Sequence, residues 1–293
     1  MFNCLAPDQE YRRITRLKTE RTQKRVKAMR SLPVNMKAEV IFPIYVPSKG
    51  RPYNAAMIYI LRESKLDFTV VVEPQDLAEY QRAHPGVKFL VLPKDNQGIV
   101  YARQFILDHA RDLSYKRYWQ IDDNIGGFHY TLDRQTYPIT VRAALGGLED
   151  FLLKLPKPTR DNIALLAPDY QQFAVMADEA FKFNTRAYCC VLTRTDTGID
   201  YRYPGKLDTK EDVDFTVQHL SYGYQTLVSH QYAMEKPTMG RNTSGGLSEQ
   251  YRAGQHEKAA RFLQSLWPQH VKLVRKKLGF DAQVDWSQFQ AGK

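Results

Sequence analysis

The sequence predicts an α/β protein whose mostly parallel, doubly wound sheet is flanked by helices. Three observations carry this. Short apolar runs rich in β-branched residues alternate with helical stretches through the first half of the chain. The strand candidates are continuously apolar, as strands covered on both faces are. The composition is that of an ordinary globular protein, with 293 residues, 43% hydrophobic and 25% charged, enough for one large core with an appended piece.

In chain order, residues 40–46 (Val-Ile-Phe-Pro-Ile-Tyr-Val) form the first strand, and Pro47-Ser48-Lys49-Gly50-Arg51-Pro52 a turn. A helix follows over 53–62, a strand over 68–72, a helix over 76–82 and a strand over 89–92. A helix over 99–111 then leads to a strand at 119–121. In the second half, 163–166 and 187–192 are strands, a helix starts near Glu211, and 225–229 is another strand. Residues 237–246 make a polar, glycine-rich loop of the kind that carries function, with Arg241, Asn242 and Ser244-Gly245-Gly246 able to close over a ligand. The tail over 248–278 reads as helical and basic, with Arg252, Lys258, Arg261, Lys272, Arg275, Lys276 and Lys277. The expected organisation is a basic arm (1–36), one α/β domain (37–247) and a basic helical extension (248–293).

The net charge of +10 is concentrated. Between Arg12 and Arg30, nine basic residues (Arg12, Arg13, Arg16, Lys18, Arg21, Lys24, Arg25, Lys27 and Arg30) face one acid, Glu20. A solvated face is the ordinary explanation of such a run, but its concentration in one element favours a polyanion such as nucleic acid. No apolar run approaches the roughly eighteen residues that cross a bilayer, and no hydrophobic segment follows the first charges, so neither a membrane partner nor a signal peptide is expected. Cys4, Cys189 and Cys190 match no disulfide framework or zinc spacing, as in a reducing compartment: the cytoplasm, of a host cell if phage-encoded, or the nucleus.

The most informative stretch is Tyr118-Trp119-Gln120-Ile121-Asp122-Asp123-Asn124, an apolar strand running into carboxylate and amide oxygens. Upstream lies Asn96-Gln97-Gly98, then Ala102-Arg103. Ligands of open α/β sheets collect at the carboxyl ends of strands, and adjacent carboxylates there repel unless a cation relieves them. Hard oxygens suit Mg²⁺ or Mn²⁺ bound together with a nucleotide diphosphate. A turn or helix cap is the competing reading. After the first strand, Arg51 is placed to meet phosphate and Gly50 to admit close backbone approach. Glu211, Asp212 and Asp214 fall in the first turn of a helix, where the macrodipole stabilises acids whatever their role. Phosphate-binding GxxxxGK[ST], dinucleotide-binding GxGxxG and hydrolase GxSxG motifs are absent, which counts against kinases, dinucleotide oxidoreductases and those hydrolases.

Asn96-x-Gly98, Ala102-Arg103 and Ile121-Asp122-Asp123-Asn124 resemble the nucleotide-sugar half of a GT-A glycosyltransferase, which has a Rossmann-like fold. With Ile44-Tyr45-Val46-Pro47-Ser48-Lys49-Gly50-Arg51 they resemble, over residues 40–232, the TET-associated glycosyltransferases, relatives of the base J glucosyltransferases. The resemblance implies transfer of a sugar from a UDP-sugar to a hydroxymethylpyrimidine in DNA, with 5-hydroxymethylcytosine or its uracil counterpart as acceptor. It implies that Ser48, Arg51, Glu73, Asn96, Gly98, Arg103 and Asp122 line the nucleotide. It places Mn²⁺ or Mg²⁺ on Asp122, Asp123 and Asn124 with a late histidine, His230, although a strict DxD motif has an acid where this chain has Asn124. Asp212 becomes the general base, with Glu211 and Asp214 as alternatives. The rival readings are a glycosyltransferase for a glycan, lipid or protein acceptor, and a non-catalytic DNA-binding accessory protein.

Overall fold

The computed structural model describes residues 32–236, 254–276 and 279–290. The basic arm over 12–30, the loop over 237–246, Arg252 and Lys277 lie outside the described residues. The first half runs β1 (Ile44–Pro47), α1 (Ala56–Glu63), β2 (Thr69–Val72), α2 (Leu77–Ala83), β3 (Lys88–Val91), α3 (Ile99–Asp112) and β4 (Arg117–Ile121). A hairpin of β5 (Gly127–Leu132) and β6 (Gln135–Ile139) follows, then α4 (Val141–Lys154), α5 (Lys157–Asn162), β7 (Ile163–Tyr170), α6 (Gln171–Ala174) and β8 (Phe181–Phe183). The chain continues through β9 (Cys190–Arg194), α7 (Glu211–Ser221), β10 (Gln225–Glu235), α8 (Gln255–Leu266), β11 (Val271–Lys276) and β12 (Gly279–Val284).

One mixed sheet organises these elements in the order β3-β2-β1-β4-β9-β7-β10-β5-β6, with β8 paired to β10. Strands β1, β2, β3, β4, β6, β7 and β10 run one way and β5, β8 and β9 the other, so the expected mostly parallel α/β sheet is present. Period-two alternation sorts the core onto both faces. Ile44, Val46, Trp119 and Ile121 pack on one face with Met57, Ile58 and Leu61 of α1 and Leu145, Leu148 and Leu152 of α4. Tyr45 and Tyr118 point to the other, against Ile106 and Leu107 of α3 and Val213 and Val217 of α7.

The differences from expectation have local causes. The first strand starts at Ile44 rather than at residue 40, because the amides of Ile41 and Phe42 donate to the Glu149 carboxylate instead of to a neighbouring strand. Strand β10 extends to Glu235, six residues beyond the expected end at 229, through an irregularity between Ser229 and Ala233 that lets it pair with β5. The tail is not helical throughout. Helix α8 stops before Pro268, which has no amide hydrogen to continue it, and the chain returns as the β11–β12 hairpin. Leu263, Val271 and Val284 are buried in the same cluster as Val213 and Phe215 of α7. No helix among the described residues is long and apolar enough to cross a membrane.

Candidate active site

Strands β2 and β4 flank β1 and are parallel to it, while α1 and α3 cover opposite faces. The crevice between the carboxyl ends of β1 and β4 is therefore a topological switch point, where ligands of open α/β sheets bind. There the two sequence motifs meet. Ser48 Oγ donates to Asp123 Oδ2 at 2.6 Å, and Arg51 Nη1 lies 2.9 Å from Asp123 Oδ1. Tyr80 of α2 closes the group, its hydroxyl 2.6 Å from Ser48 Oγ and accepting from Arg51 N at 3.0 Å. Burial raises the Asp123 carboxyl above its ordinary range despite Arg51 and Ser48. Arg51 Nε is buried with no partner among the described residues, an unused donor at the crevice.

A second network lies at the end of β2. Lys49 Nζ reaches Glu73 Oε1 at 2.9 Å and Asn96 Oδ1 at 2.7 Å, and Gln75 Nε2 donates to Glu73 Oε2 at 2.6 Å. Glu73 is buried, and these polar groups surround it. Gly98, just before α3, has φ of 85°, and a Cβ there would lie 2.5 Å from Asp208 Oδ2. Only glycine meets both conditions without strain.

Asp122 directly follows β4 and faces two cations. Arg103 Nη2 of α3 is 3.2 Å from its Oδ1, and Lys236 Nζ is 2.6 Å from its Oδ2. Burial opposes ionisation of Asp122, but Lys236 and then Arg103 outweigh it and hold the carboxyl below its ordinary range. The same Arg103 nitrogen is 3.2 Å from Glu211 Oε1. Burial is stronger than that ion pair for Glu211, and its carboxyl is pushed up to about 8.

Asp212 follows Glu211 in the first turn of α7. Its Oδ2 accepts from Arg186 Nε at 3.0 Å and Nη2 at 2.7 Å, and its Oδ1 accepts from Val213 N at 2.8 Å. The Arg186 guanidinium lies 4.7 Å from the centre of the Tyr188 ring. Tyr170 and Phe173 continue an aromatic ledge from Tyr188, with Phe173 exposed. Asp214, the alternative base, instead receives Arg202, Gln218 and Trp267.

Among the described residues the expected metal centre does not assemble. His230 Nδ1 faces Glu179 O at 2.9 Å and its Nε2 faces Asp169 Oδ2 at 3.4 Å, so both ring nitrogens are engaged away from Asp122. Asp122 is taken by Lys236 and Arg103, and Asp123 by Arg51 and Ser48. Asn124 Oδ1 is buried with no partner among the described residues, but a single amide oxygen is no cation site. No group of three or more His, Cys, Asp or Glu among the described residues could hold a metal ion. The donor set among the described residues therefore does not fit the Mg²⁺ or Mn²⁺ implied by the resemblance.

The structure thus brings Ser48, Arg51, Asp122 and Asp123 together, links Arg103 to Asp122 and Glu211, sets Asp212 beside Glu211, and leaves His230 elsewhere. Sequence reasoning missed Lys236, Arg186, Tyr80 and the ledge of Tyr170, Phe173 and Tyr188. Lys236 was legible only if the last strand ran its full length to residue 235.

Comparison with curated proteins finds no match. A family model for TET-associated glycosyltransferases matches residues 42–246, a span that holds every residue of the crevice and the start of α7. The chain belongs to the TET-associated glycosyltransferase family, and it is a glycosyltransferase.

Proposed function

We propose that the protein transfers a sugar from a UDP-sugar to the hydroxyl of a 5-hydroxymethylpyrimidine in DNA, 5-hydroxymethylcytosine foremost. The observation that carries this is the convergence of Arg51, Arg103 and Lys236 on the two carboxylates of the β1/β4 crevice, in a chain of this family. A site with more cationic than anionic side chains suits a diphosphate, and Glu73 with Asn96 and Lys49 offers donors and acceptors for ribose or base.

In this reading the acceptor oxygen attacks the anomeric carbon as its bond to the diphosphate oxygen breaks. Asp212 takes the hydroxyl proton, oriented by Arg186 and by its own helix turn. Negative charge developing on the diphosphate is met by the crevice cations. The aromatic ledge beside Asp212 gives a flipped pyrimidine a face to stack on, which offsets part of the few kcal/mol that unstacking costs. The basic arm, with exposed Lys258, Lys272 and Arg275 of the tail, would grip phosphates.

Nucleoside mass spectrometry tests this after incubation with a panel of UDP-sugars and DNA with or without 5-hydroxymethylcytosine. A sugar adduct confined to the hydroxymethylated DNA is expected. UDP release without that adduct would move the acceptor to a glycan, lipid or protein.

A further inference from the structure

Lys236 is not a loose surface residue. Glu235, immediately before it, pairs with Gly127 across β5, and Glu235 O accepts from Gly126 N at 2.8 Å. Those contacts pin the end of β10 against the turn that follows Asp122-Asp123-Asn124. The Lys236 ammonium is mostly buried beside Asp122, near Tyr170 and Cys189.

We infer that Lys236 takes the place of a divalent cation on Asp122, so that the nucleoside-diphosphate leaving group is met by side-chain cations alone and sugar transfer needs no metal. This rests on the reading of the crevice as a nucleotide-sugar site. An ammonium carries three donors; Asp122 Oδ2 accepts one at 2.6 Å and the Cys189 sulfur takes another, leaving one for a phosphate oxygen. Arg51 adds its Nε, which has no partner among the described residues. A metal binding Asp122 would first have to break that ion pair, and neither Asp123 nor His230 is free to complete its coordination. When the glycosidic bond to the diphosphate breaks, its electron pair stays on the phosphate oxygen, and Lys236 is held next to the carboxylate that marks that position.

Calorimetric titration of UDP into the full-length protein tests this, in EDTA and again with Mn²⁺. Wild type should bind UDP in EDTA with an affinity within about threefold of that in Mn²⁺. Lys236→Met should lose roughly 10- to 100-fold in EDTA, the value of a charge-assisted contact, while Lys236→Arg keeps most of the binding. Lys236→Met frees only Oδ2 of Asp122, while Arg103 keeps Oδ1 and Arg51 keeps Asp123, so Mn²⁺ should restore little of its UDP binding. UDP binding by wild type that requires Mn²⁺, or a folded Lys236→Met that binds normally in EDTA, overturns the inference and leaves the glycosyltransferase intact. Wild type that binds no UDP in either buffer overturns the donor-site reading and this inference with it.

Discussion

Asp122, at the end of β4, and Glu211, at the start of α7, are joined through a single nitrogen: Arg103 Nη2 lies 3.2 Å from an oxygen of each. The expected diphosphate crevice and helix α7 are thus one electrostatic unit, although the two acids stand far apart in sequence. Lysine offers a single nitrogen on a flexible stem and cannot add the guanidinium's further hydrogen bond to Tyr201. Arg103→Lys should therefore lower the unfolding midpoint by several degrees, on the order of the 3–5 kcal/mol lost when a buried ion pair is broken, and reduce kcat/KM at least tenfold. A variant that melts and turns over like wild type would remove Arg103 from the site.

Asp212→Asn keeps the size of the side chain and its contact with Arg186 but cannot accept a proton. Transfer should fall by about 10²- to 10⁴-fold while UDP binding stays within the wild-type range. If kcat holds and only KM rises, Asp212 is a binding residue and the base lies elsewhere.

Glu211 gives a pH dependence of defined sign. Its carboxyl is pushed above the ordinary 4.5 to about 8 by burial, so the folded protein holds a proton there that the unfolded chain releases. Stability from this group is complete below about pH 4.5 and is lost as pH rises toward 8. Glu211→Gln has no proton to lose. Thermal unfolding between pH 5 and 8 should show wild type losing stability relative to Glu211→Gln as pH rises, and parallel curves would place the carboxyl in its ordinary range.

The tail braces α7. Lys210, the residue before Glu211, is buried and its Nζ lies 2.5 Å from Asp281 Oδ1 of β12. Trp267 Nε1 donates to Asp214 Oδ1 at 2.7 Å, and Asn184 Nδ2 to Phe289 O at 2.7 Å. Asp281→Ala leaves the Lys210 ammonium without that carboxylate, and a loss of about 2–4 kcal/mol in urea unfolding is expected. Turnover should fall as well, although Asp281 lies beyond the matched residues 42–246. Unchanged stability would make the hairpin a passenger.

Gly98 gives a steric prediction. Alanine there must adopt φ of 85° and place its Cβ 2.5 Å from the Asp208 carboxylate. Gly98→Ala should cost roughly 1–3 kcal/mol in chemical denaturation, mostly through strain at the start of α3. A neutral substitution would mean that this turn relaxes freely.

The sequence by itself determined the alternation of buried strands and helices, the placement of Asp122-Asp123-Asn124 at a strand end, the start of α7 at Glu211 and the family. Each is legible because local hydrophobic period and motif order are properties of contiguous residues. The resemblance put Ser48, Arg51 and Asp122 on one nucleotide, and the parallel pairing of β1 with β4 brings their carboxyl ends together. Only the tertiary structure decided the partners. Arg103 and Glu211, like Lys236 and Asp122, are more than 100 residues apart, and no local pattern encodes which cation meets which acid. The resemblance implied His230 as a ligand, yet the strand irregularity after Ser229 and the approach of Asp169 turn it elsewhere. The tail shows the same limit. It reads as helical and basic, but Pro268 stops α8, and burial of Val271 and Val284 against α7 favours a hairpin that braces that helix.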